Sequence, residues 1–298
     1  MKQILLFTLF CFSAITMFAQ EDDVEVPPNG WTNAGNIQLL FNQSAFNKEW
    51  TGGGTSSISG NLILNYEENY RWNNFSWTNR VFANYGLTKV RTDEFMRKTS
   101  DRLEINSIAG LQMENSNWYY SYFLNFRTQF DKGYNFGEDP ETGRTTRTEY
   151  TQFFSPAYLQ TGPGFMYKKT EDFVINIAPA TARYIFVDRK FTTSPGYVDG
   201  QYFGVDEGKT NRFEFGASLS GYFKFNIFED VVMENNVNFY SNYLDKPGNI
   251  DIDYLLNLEL GINKYLSANL LFQAIYDDNA IGAFQIREVF GAGINYGF

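Results

Sequence analysis

The stretch Phe284-Gln-Ile-Arg-Glu-Val-Phe-Gly-Ala-Gly-Ile-Asn-Tyr-Gly-Phe298 decides the fold, because its residues alternate between two chemistries. One set of alternate positions is mainly apolar or aromatic: Phe284, Ile286, Glu288, Phe290, Ala292, Ile294, Tyr296 and Phe298. The other set is mainly polar or glycine: Gln285, Arg287, Val289, Gly291, Gly293, Asn295 and Gly297. Since successive side chains of a strand point to opposite faces, the stretch predicts a β-strand with one apolar and one polar face.

The aromatic last residue, Phe298, resembles the terminal signature of bacterial outer-membrane β-barrels. This resemblance implies outer-membrane lipid around the protein and recognition by the barrel-assembly machinery through the last strand. The mean hydropathy of −0.36 is compatible with that location. In a membrane barrel, lipid-facing apolar residues alternate with polar residues that face the lumen, so their contributions to the mean hydropathy cancel.

The N-terminus predicts export. Lys2 precedes an apolar run over residues 4–17, and Ala19 precedes a polar segment, which is the pattern of a secretory signal peptide. We predict a signal peptide at residues 1–19, a short periplasmic tether at 20–34 and a barrel at 35–298. Cys11 leaves with the signal, so the mature chain contains no cysteine.

Twelve segments with alternating polarity follow one another along the chain. They span residues 35–46, 57–67, 74–87, 101–113, 117–130, 153–168, 172–187, 211–228, 231–244, 249–263, 265–276 and 284–298. The segment at 172–187 changes phase near Pro179, which predicts a bulge, because proline cannot donate a hydrogen bond to its neighbour. The even count predicts an all-β, antiparallel, up-and-down transmembrane barrel of twelve strands with both termini periplasmic.

The connections between these segments are sorted by parity. Those after the even-numbered segments are short, whereas residues 131–152 and 188–210, after the fifth and seventh segments, are long. Short periplasmic turns and longer external loops are typical of outer-membrane barrels. The pattern therefore predicts the outer membrane of a Gram-negative bacterium as the location.

The polar faces place charged side chains inside the predicted barrel. The basic candidates are Arg80, Arg102, Arg127, Arg212, Lys224 and Arg287, and the acidic candidates are Glu104, Glu214, Glu234, Asp251, Asp253 and Glu259. The two signs concentrate on opposite walls. Either they form a transverse field in an open constriction, or they pair across a narrow lumen and fill it. Glycines at 162, 164, 291 and 293 either leave room for water, accommodate a bulky neighbour or increase strand curvature.

Composition excludes several classes of function. The chain has no histidine, which removes serine–histidine–aspartate triads and histidine-based metal sites. The formal net charge of −10 argues against nucleic acid as a partner. No loop carries the D-x-D-x-D-G pattern of a calcium loop, and we predict no cofactor. Asp251 and Asp253 remain as a conceivable acid–base pair, but charge pairing with arginines is the favoured role, so we predict that the protein is not an enzyme.

Several segments together resemble a family of uncharacterised outer-membrane barrel proteins from Bacteroidota, known only as a domain of unknown function. The matching stretches are Trp50-Thr-Gly-Gly-Gly54, Arg97-Lys-Thr-Ser-Asp101, Asn117-Trp-Tyr-Tyr120, Asn125-Phe-Arg-Thr-Gln-Phe130, Ser155-Pro-Ala-Tyr158, Phe203-Gly-Val-Asp206, Ser241-Asn-Tyr-Leu-Asp245, Asn249-Ile-Asp251, Asn263-Lys-Tyr-Leu-Ser267 and Ile275-Tyr-Asp-Asp278. The resemblance implies an outer-membrane barrel and supplies no activity or site residue.

Two functions fit these features. The opposed lumen charges favour a narrow channel or transporter for small polar solutes. The aromatic residues of the two long loops favour the alternative, a closed structural or docking barrel that binds a partner through its loops or its periplasmic face. An enzyme acting on lipid or peptide is a third hypothesis, which the absence of histidine disfavours.

Overall fold

The computed structural model describes residues 29–47, 49–114, 116–277, 279–280 and 282–298. The predicted signal peptide and residues 20–28 of the predicted tether lie outside the described residues. Among the described residues, no helix has the length and apolar character needed to cross a membrane.

The described part of the chain forms fourteen strands, of which twelve close into one barrel. The strands are β1 (Gly30–Ser44), β2 (Ser57–Trp72), β3 (Phe75–Val90), β4 (Arg97–Gln112), β5 (Trp118–Thr128), β6 (Gly133–Glu138), β7 (Thr145–Thr151), β8 (Ala157–Thr170), β9 (Phe173–Phe186), β10 (Asn211–Phe228), β11 (Val231–Asn242), β12 (Asp251–Gly261), β13 (Leu266–Tyr276) and β14 (Gln285–Gly297). Strands β6 and β7 form a separate hairpin, and one short helix, α1 (Arg189–Thr192), lies between β9 and β10.

The barrel runs in the order β1-β14-β13-β12-β11-β10-β9-β8-β5-β4-β3-β2, with every neighbouring pair antiparallel. The predicted twelve-strand up-and-down barrel is confirmed. The first strand begins at Gly30 rather than at residue 35, because residues 30–35 pair with residues 66–71 of β2. Residues 30–34 therefore belong to the barrel and not to a tether.

Apolar side chains lie on the outside of this barrel and polar side chains on the inside. On β1, the side chains of Leu39 and Phe41 are 38% and 52% exposed, whereas the side chain of Gln38, which precedes Leu39, is fully buried. Charged and amide side chains such as Arg102, Glu214 and Asn269 are buried on other strands. This arrangement is the reverse of a water-soluble protein and matches a barrel in lipid.

The two edges of the barrel differ in their connections. One, the short-turn edge, carries the described residues of five connections: 73–74, 113–114 with 116–117, 171–172, 229–230 and 262–265. The other, the long-loop edge, carries the described residues of six: 45–47 with 49–56, 91–96, 129–156, 187–210, 243–250, and 277 with 279–280 and 282–284. The predicted sorting of loops by parity is confirmed. The start of β1 and the chain end meet at the short-turn edge, where the Gly35 amide donates to the Phe298 carbonyl at 2.8 Å.

A bulge in β9 shifts the inward positions of that strand. Ala178 pairs with Ser218 and Thr181 with Gly216, so β9 contains one extra residue at Pro179. The inward residues are Val174, Asn176 and Ala178 before the bulge, and Thr181, Arg183 and Ile185 after it. The phase change predicted near Pro179 is confirmed.

Two glycines of β8 face this bulge and explain why it packs closely. A Cβ atom at Gly162 would lie 2.3 Å from the Ala180 carbonyl oxygen, and one at Gly164 would lie 2.5 Å from the Ile177 carbonyl oxygen. Neither position has space for a side chain. At these two positions, strand curvature and close backbone approach explain the glycines, and room for water does not.

Candidate functional site

The first ion-pair centre joins opposite walls of the lumen. Arg102 on β4 approaches Asp253 on β12 with 3.0 Å between Nη1 and Oδ2, and Arg127 on β5 contacts the same carboxylate. Strands β4 and β12 are six positions apart in the twelve-strand ring. Of the two arrangements that the sequence left open, direct pairing across the lumen is the one observed.

Neighbouring side chains complete this centre. Arg102 Nε donates to Glu104 at 2.8 Å, and the other Glu104 oxygen accepts hydrogen bonds from Asn106 at 3.1 Å and Asn125 at 2.7 Å. The Arg127 guanidinium also lies over the Tyr158 ring, 4.6 Å from its centroid. Since each charge has several partners, the group forms a connected polar layer rather than isolated pairs.

The second centre is built around Arg183, which the sequence prediction missed. Arg183 Nε lies 2.7 Å from Glu214 and Nη1 lies 2.6 Å from Asp251, and its guanidinium stacks over the Tyr240 ring at 4.2 Å. Arg212 approaches the second Glu214 oxygen at 2.8 Å. The side chains of Arg183 and Glu214 are 4% and 0% exposed, so this is the most deeply buried ion pair that the structure describes.

Arg183 was missed because of the bulge at Pro179. If the alternation of the first half of β9 is continued through Pro179 without a bulge, residues 182 and 184 face the lumen and Arg183 faces outward. The extra residue reverses that assignment. The only sequence signal was the phase change itself, combined with the cost of an arginine facing lipid.

The third centre lies closer to the short-turn edge. Arg80 Nε donates to Glu67 at 2.6 Å, Nη2 donates to the Glu171 carbonyl at 2.9 Å, and the guanidinium stacks 3.7 Å above the centre of the Tyr222 ring. Glu67 on β2 was another residue that the prediction did not include. The stack places a flat cation–ring pair across the lumen between β3 and β10.

The remaining predicted charges also lie on inward positions. Arg287 donates to Gln273 at 2.9 Å and to the Thr99 carbonyl at 3.3 Å. Lys224, Glu234 and Glu259 line a cavity described below. Asp251 and Asp253 each contact an arginine, so both are charge partners in this structure.

Two polar chambers lie in series inside the barrel. The lower chamber, about 320 Å³, is lined by residues of the short-turn half such as Ala34 and Asp172. The upper chamber, about 120 Å³, is lined by residues of the long-loop half such as Tyr158 and Asp277. Both linings include five residues: Arg80, Glu104, Asn106, Tyr222 and Asn236. This dividing layer, with the Arg80–Tyr222 stack, separates the two chambers.

The two long loops pack together over the long-loop edge. Their apolar cluster contains Tyr158, Ile185, Val187, Tyr202 and Val205, with Phe191, Tyr197 and Phe203 packed against it. The Tyr202 hydroxyl donates to the Tyr150 carbonyl at 2.7 Å, and burial raises the pKa of Tyr202. We refer to this cluster as the loop cap; it joins the loop at 187–210 to the inward faces of β8 and β9.

A carboxylate clamp also connects the two loops. Glu149 on β7 accepts from Lys132 at 3.0 Å and from Lys190 of α1 at 2.6 Å. These contacts lower the pKa of Glu149, first through the Lys190 hydrogen bond and then through the Lys132 hydrogen bond. Because the pKa is lower in the folded state, the clamp stabilises the loops above the ordinary glutamate pKa and is lost as the pH falls through the folded-state value.

Acidification is therefore expected to loosen the hairpin β6–β7. Amide exchange over residues 133–151, corrected for its intrinsic pH dependence, should lose protection below about pH 4. Glu149→Gln should show the weaker protection already at pH 7, whereas Glu141→Gln at the exposed hairpin tip should not. Equal protection of the wild-type protein and Glu149→Gln across this range would show that the clamp has no role.

No group of three or more histidine, cysteine, aspartate or glutamate side chains in the described part of the chain is arranged to hold a metal ion. The side chains that converge in the lumen are guanidinium, carboxylate, amide and phenol groups. They can bind polar solutes by charge and hydrogen bonds.

Comparison with protein families gives one match. A family model described as "Protein of unknown function (DUF3078)" matches residues 41–134, which include the first four stretches that carry the family resemblance. The match covers less than half of the chain and brings no activity. Origin from Bacteroidota stays a prediction. No curated protein matches the sequence.

Solved structures with a similar chain path include three bacterial proteins. The COG4313 outer membrane channel from Pseudomonas putida F1 is 10% identical, with a TM-score of 0.38 and coverage of 94% of this chain and 98% of that one. Outer membrane phospholipase A from Escherichia coli is 11% identical, with a TM-score of 0.34 and coverage of 95% of each chain. The Pseudomonas putida toluene transporter TodX is 7% identical, with a TM-score of 0.35 and coverage of 91% and 89%. At these TM-scores, no residue role or activity is transferred to this chain.

Proposed function

We propose that this protein is a barrel of the Gram-negative outer membrane that acts as a narrow channel for small polar solutes. The observation that carries the proposal is the pair of polar chambers in series within the closed barrel. A barrel with a purely structural role has no need for two chambers lined by charged groups. In the conformation described, the dividing layer lies between the two chambers and the Arg102–Asp253–Arg127 centre spans the lumen, so both narrow the path.

The outer surface supports the membrane location. Large apolar side chains face outward around the barrel, including Leu62, Phe213 and Phe290. Trp31 lies near the short-turn edge and packs against Tyr70 and Trp77, with ring centroids 4.8 Å and 5.8 Å apart. Aromatic rings with one polar end suit the membrane–water boundary. We therefore propose outer-membrane lipid as the surrounding medium and the short-turn edge as the periplasmic side.

The last strand supports the proposal that the barrel-assembly machinery is a partner of this protein. Phe298 points outward, is 55% exposed and stacks with Tyr66 of β2 at 6.4 Å. Its carbonyl and amide both bond to Gly35, so the last strand closes the barrel against the first. An outward aromatic on the closing strand is compatible with recognition by the barrel-assembly machinery before closure.

Planar bilayers test the channel proposal. Purified protein, shown to be inserted by its resistance to protease, should give discrete conductance steps that are small compared with those of an open porin, because the ion-pair centre narrows the path. Bilayers that receive detergent alone serve as the control. Inserted protein that gives no current under any applied voltage would contradict the channel and favour the second candidate.

That second candidate is a docking barrel, and the hairpin β6–β7 favours it. The Arg147 guanidinium lies between the Phe95 and Tyr134 rings, 4.5 Å from each centroid, and Arg97 stacks over Phe136 at 4.6 Å. These contacts hold an ordered surface beyond the barrel rim. Replacing residues 137–147 with a short turn should abolish recovery of a partner while leaving barrel folding unchanged.

A further inference from the structure

The lower chamber has an excess of negative charge. Five carboxylates line it (Glu67, Glu104, Asp172, Glu234 and Glu259), together with two cations, Arg80 and Lys224. Glu104 forms an ion pair with Arg102 of the first ion-pair centre. Glu67 forms an ion pair with Arg80, and Lys224 lies directly opposite Glu234 in the β10–β11 register. Asp172 and Glu259 remain as the chamber's excess carboxylates.

Glu259 is held by amides rather than by a cation. Its carboxylate accepts from Gln38 at 2.8 Å, from Asn36 at 3.4 Å and from Asn295. Among the described residues, no guanidinium or ammonium group lies within ion-pair distance of it. Three amides fix the direction of this carboxylate, and Lys224 in the same chamber acts on its charge without forming a direct ion pair.

Asn257 provides the independent observation. It lies two residues before Glu259 on the same face of β12, lines the lower chamber and is only 7% exposed. Its Oδ1 atom accepts no hydrogen bond from any described residue. Buried acceptors in folded proteins are almost always satisfied, so this oxygen marks a position for an external N–H donor.

We propose that the lower chamber binds a small organic cation, an amine with several N–H donors, whose ammonium group is held by Glu259 and Asn257. This inference rests on the proposed channel and names the class of solute that it takes. Hard metal cations need oxygen ligands about 2.0–2.6 Å from the ion on several sides. The described residues contain no cluster of three or more carboxylates placed to hold such an ion, whereas a flexible amine can reach ligands spread over a chamber of about 320 Å³.

Titration calorimetry on the detergent-solubilised full-length protein tests the proposal, with 1,4-diaminobutane as the cationic probe and succinate as the anionic one. Saturable binding of the diamine and none of succinate is expected. Glu259→Gln and Asn257→Leu should each weaken diamine binding by about tenfold or more, because each removes a direct acceptor. Lys224→Met should strengthen it severalfold, since it removes the opposing charge. Glu141→Gln, on the exposed hairpin, is the matched control and should bind as the wild type does.

Equal binding of diamine and succinate, or a Glu259→Gln variant that binds the diamine as well as the wild type, would overturn the proposal. Lys224→Met is expected to increase the affinity for the diamine, and a misfolded variant could not bind more tightly. This variant therefore distinguishes an effect on the ligand site from a loss of folding. Bilayer recordings separate the two proposals. Conduction without diamine binding overturns the cation site alone, and diamine binding without conduction overturns the channel alone.

Discussion

Replacing Arg183 with methionine is expected to lower the free energy of unfolding by about 3–5 kcal/mol. The change removes the cation shared by Glu214 and Asp251 and leaves two carboxylates facing each other in a site where Glu214 is fully buried. It also removes the stack on Tyr240. Urea unfolding of the protein in detergent micelles, followed by tryptophan fluorescence, measures the loss.

Two variants control this experiment. Arg212→Met should cost much less, because Arg183 still neutralises Glu214 when Arg212 is absent and because the Arg212 side chain is more exposed, at 21% against 4% for Arg183. The triple variant Arg183→Met, Glu214→Gln, Asp251→Asn should recover most of the lost stability, since no uncompensated charge remains. If Arg183→Met unfolds like the wild type, the Arg183 centre does not stabilise the barrel.

Replacing Asp253 with alanine is expected to raise the single-channel conductance severalfold and to shift selectivity towards anions. The Asp253 carboxylate on β12 contacts both Arg102 and Arg127, which lie on the opposite wall of the lumen. Without it, the two guanidiniums repel each other, the narrowest part of the path widens and the remaining local charge is positive. Conductance and reversal potential in a salt gradient across a planar bilayer measure both effects.

Asp245→Ala is the matched control for this prediction. Asp245 also contacts an arginine, Arg212, at 3.1 Å, but it lies in the loop at 243–250, where its side chain is 44% exposed. Its loss should leave conductance unchanged. If Asp253→Ala and Asp245→Ala conduct alike, then the Arg102–Asp253–Arg127 centre is not the constriction.

The alternation of apolar and polar residues was sufficient to predict the twelve barrel strands, because each of them has one face towards the lumen and one face outward along its whole length. Strand β12 is a clear example: Leu256 and Leu258 lie on one face, while Asp251, Asp253 and Glu259 lie on the other and line the chambers. The boundaries were less accurate where composition is mixed. Strand β1 (Gly30–Ser44) begins with glycine, tryptophan, threonine and asparagine, a composition that does not indicate a strand. These residues are in a strand because they pair with β2.

The hairpin β6–β7 was predicted only as part of a long loop. It is a separate two-stranded sheet outside the barrel wall, so its strands lack the long alternation of apolar and polar residues that marks the barrel strands. The hairpin is held by its own strand pairing, by stacking of Arg147 on Phe95 and by the contact of Glu149 with Lys190. The last two contacts join residues distant in sequence and have no local signature.

The inward charges followed from the same alternation, but their pairing did not. Whether Arg102 reaches Asp253 depends on the diameter of the barrel and on the strand registers, and composition does not encode either quantity. Arg183 could not be placed because one bulged residue at Pro179 reverses the faces of the second half of β9. The lower chamber depends on the combined register of several strands and was likewise beyond sequence reasoning.

The central claim is that the apolar face of each of the twelve barrel strands meets lipid and that the polar face meets the lumen. Spin labels at two positions of β2 test it, each introduced by cysteine in a Cys11→Ser background: Leu62→Cys, which is 47% exposed on the outside, and Asn65→Cys, which lines the lower chamber. In proteoliposomes, the label at 62 should collide with oxygen and not with a water-soluble nickel complex, and the label at 65 should collide with the nickel complex. The reverse pattern, with 65 in lipid and 62 in water, would contradict the account.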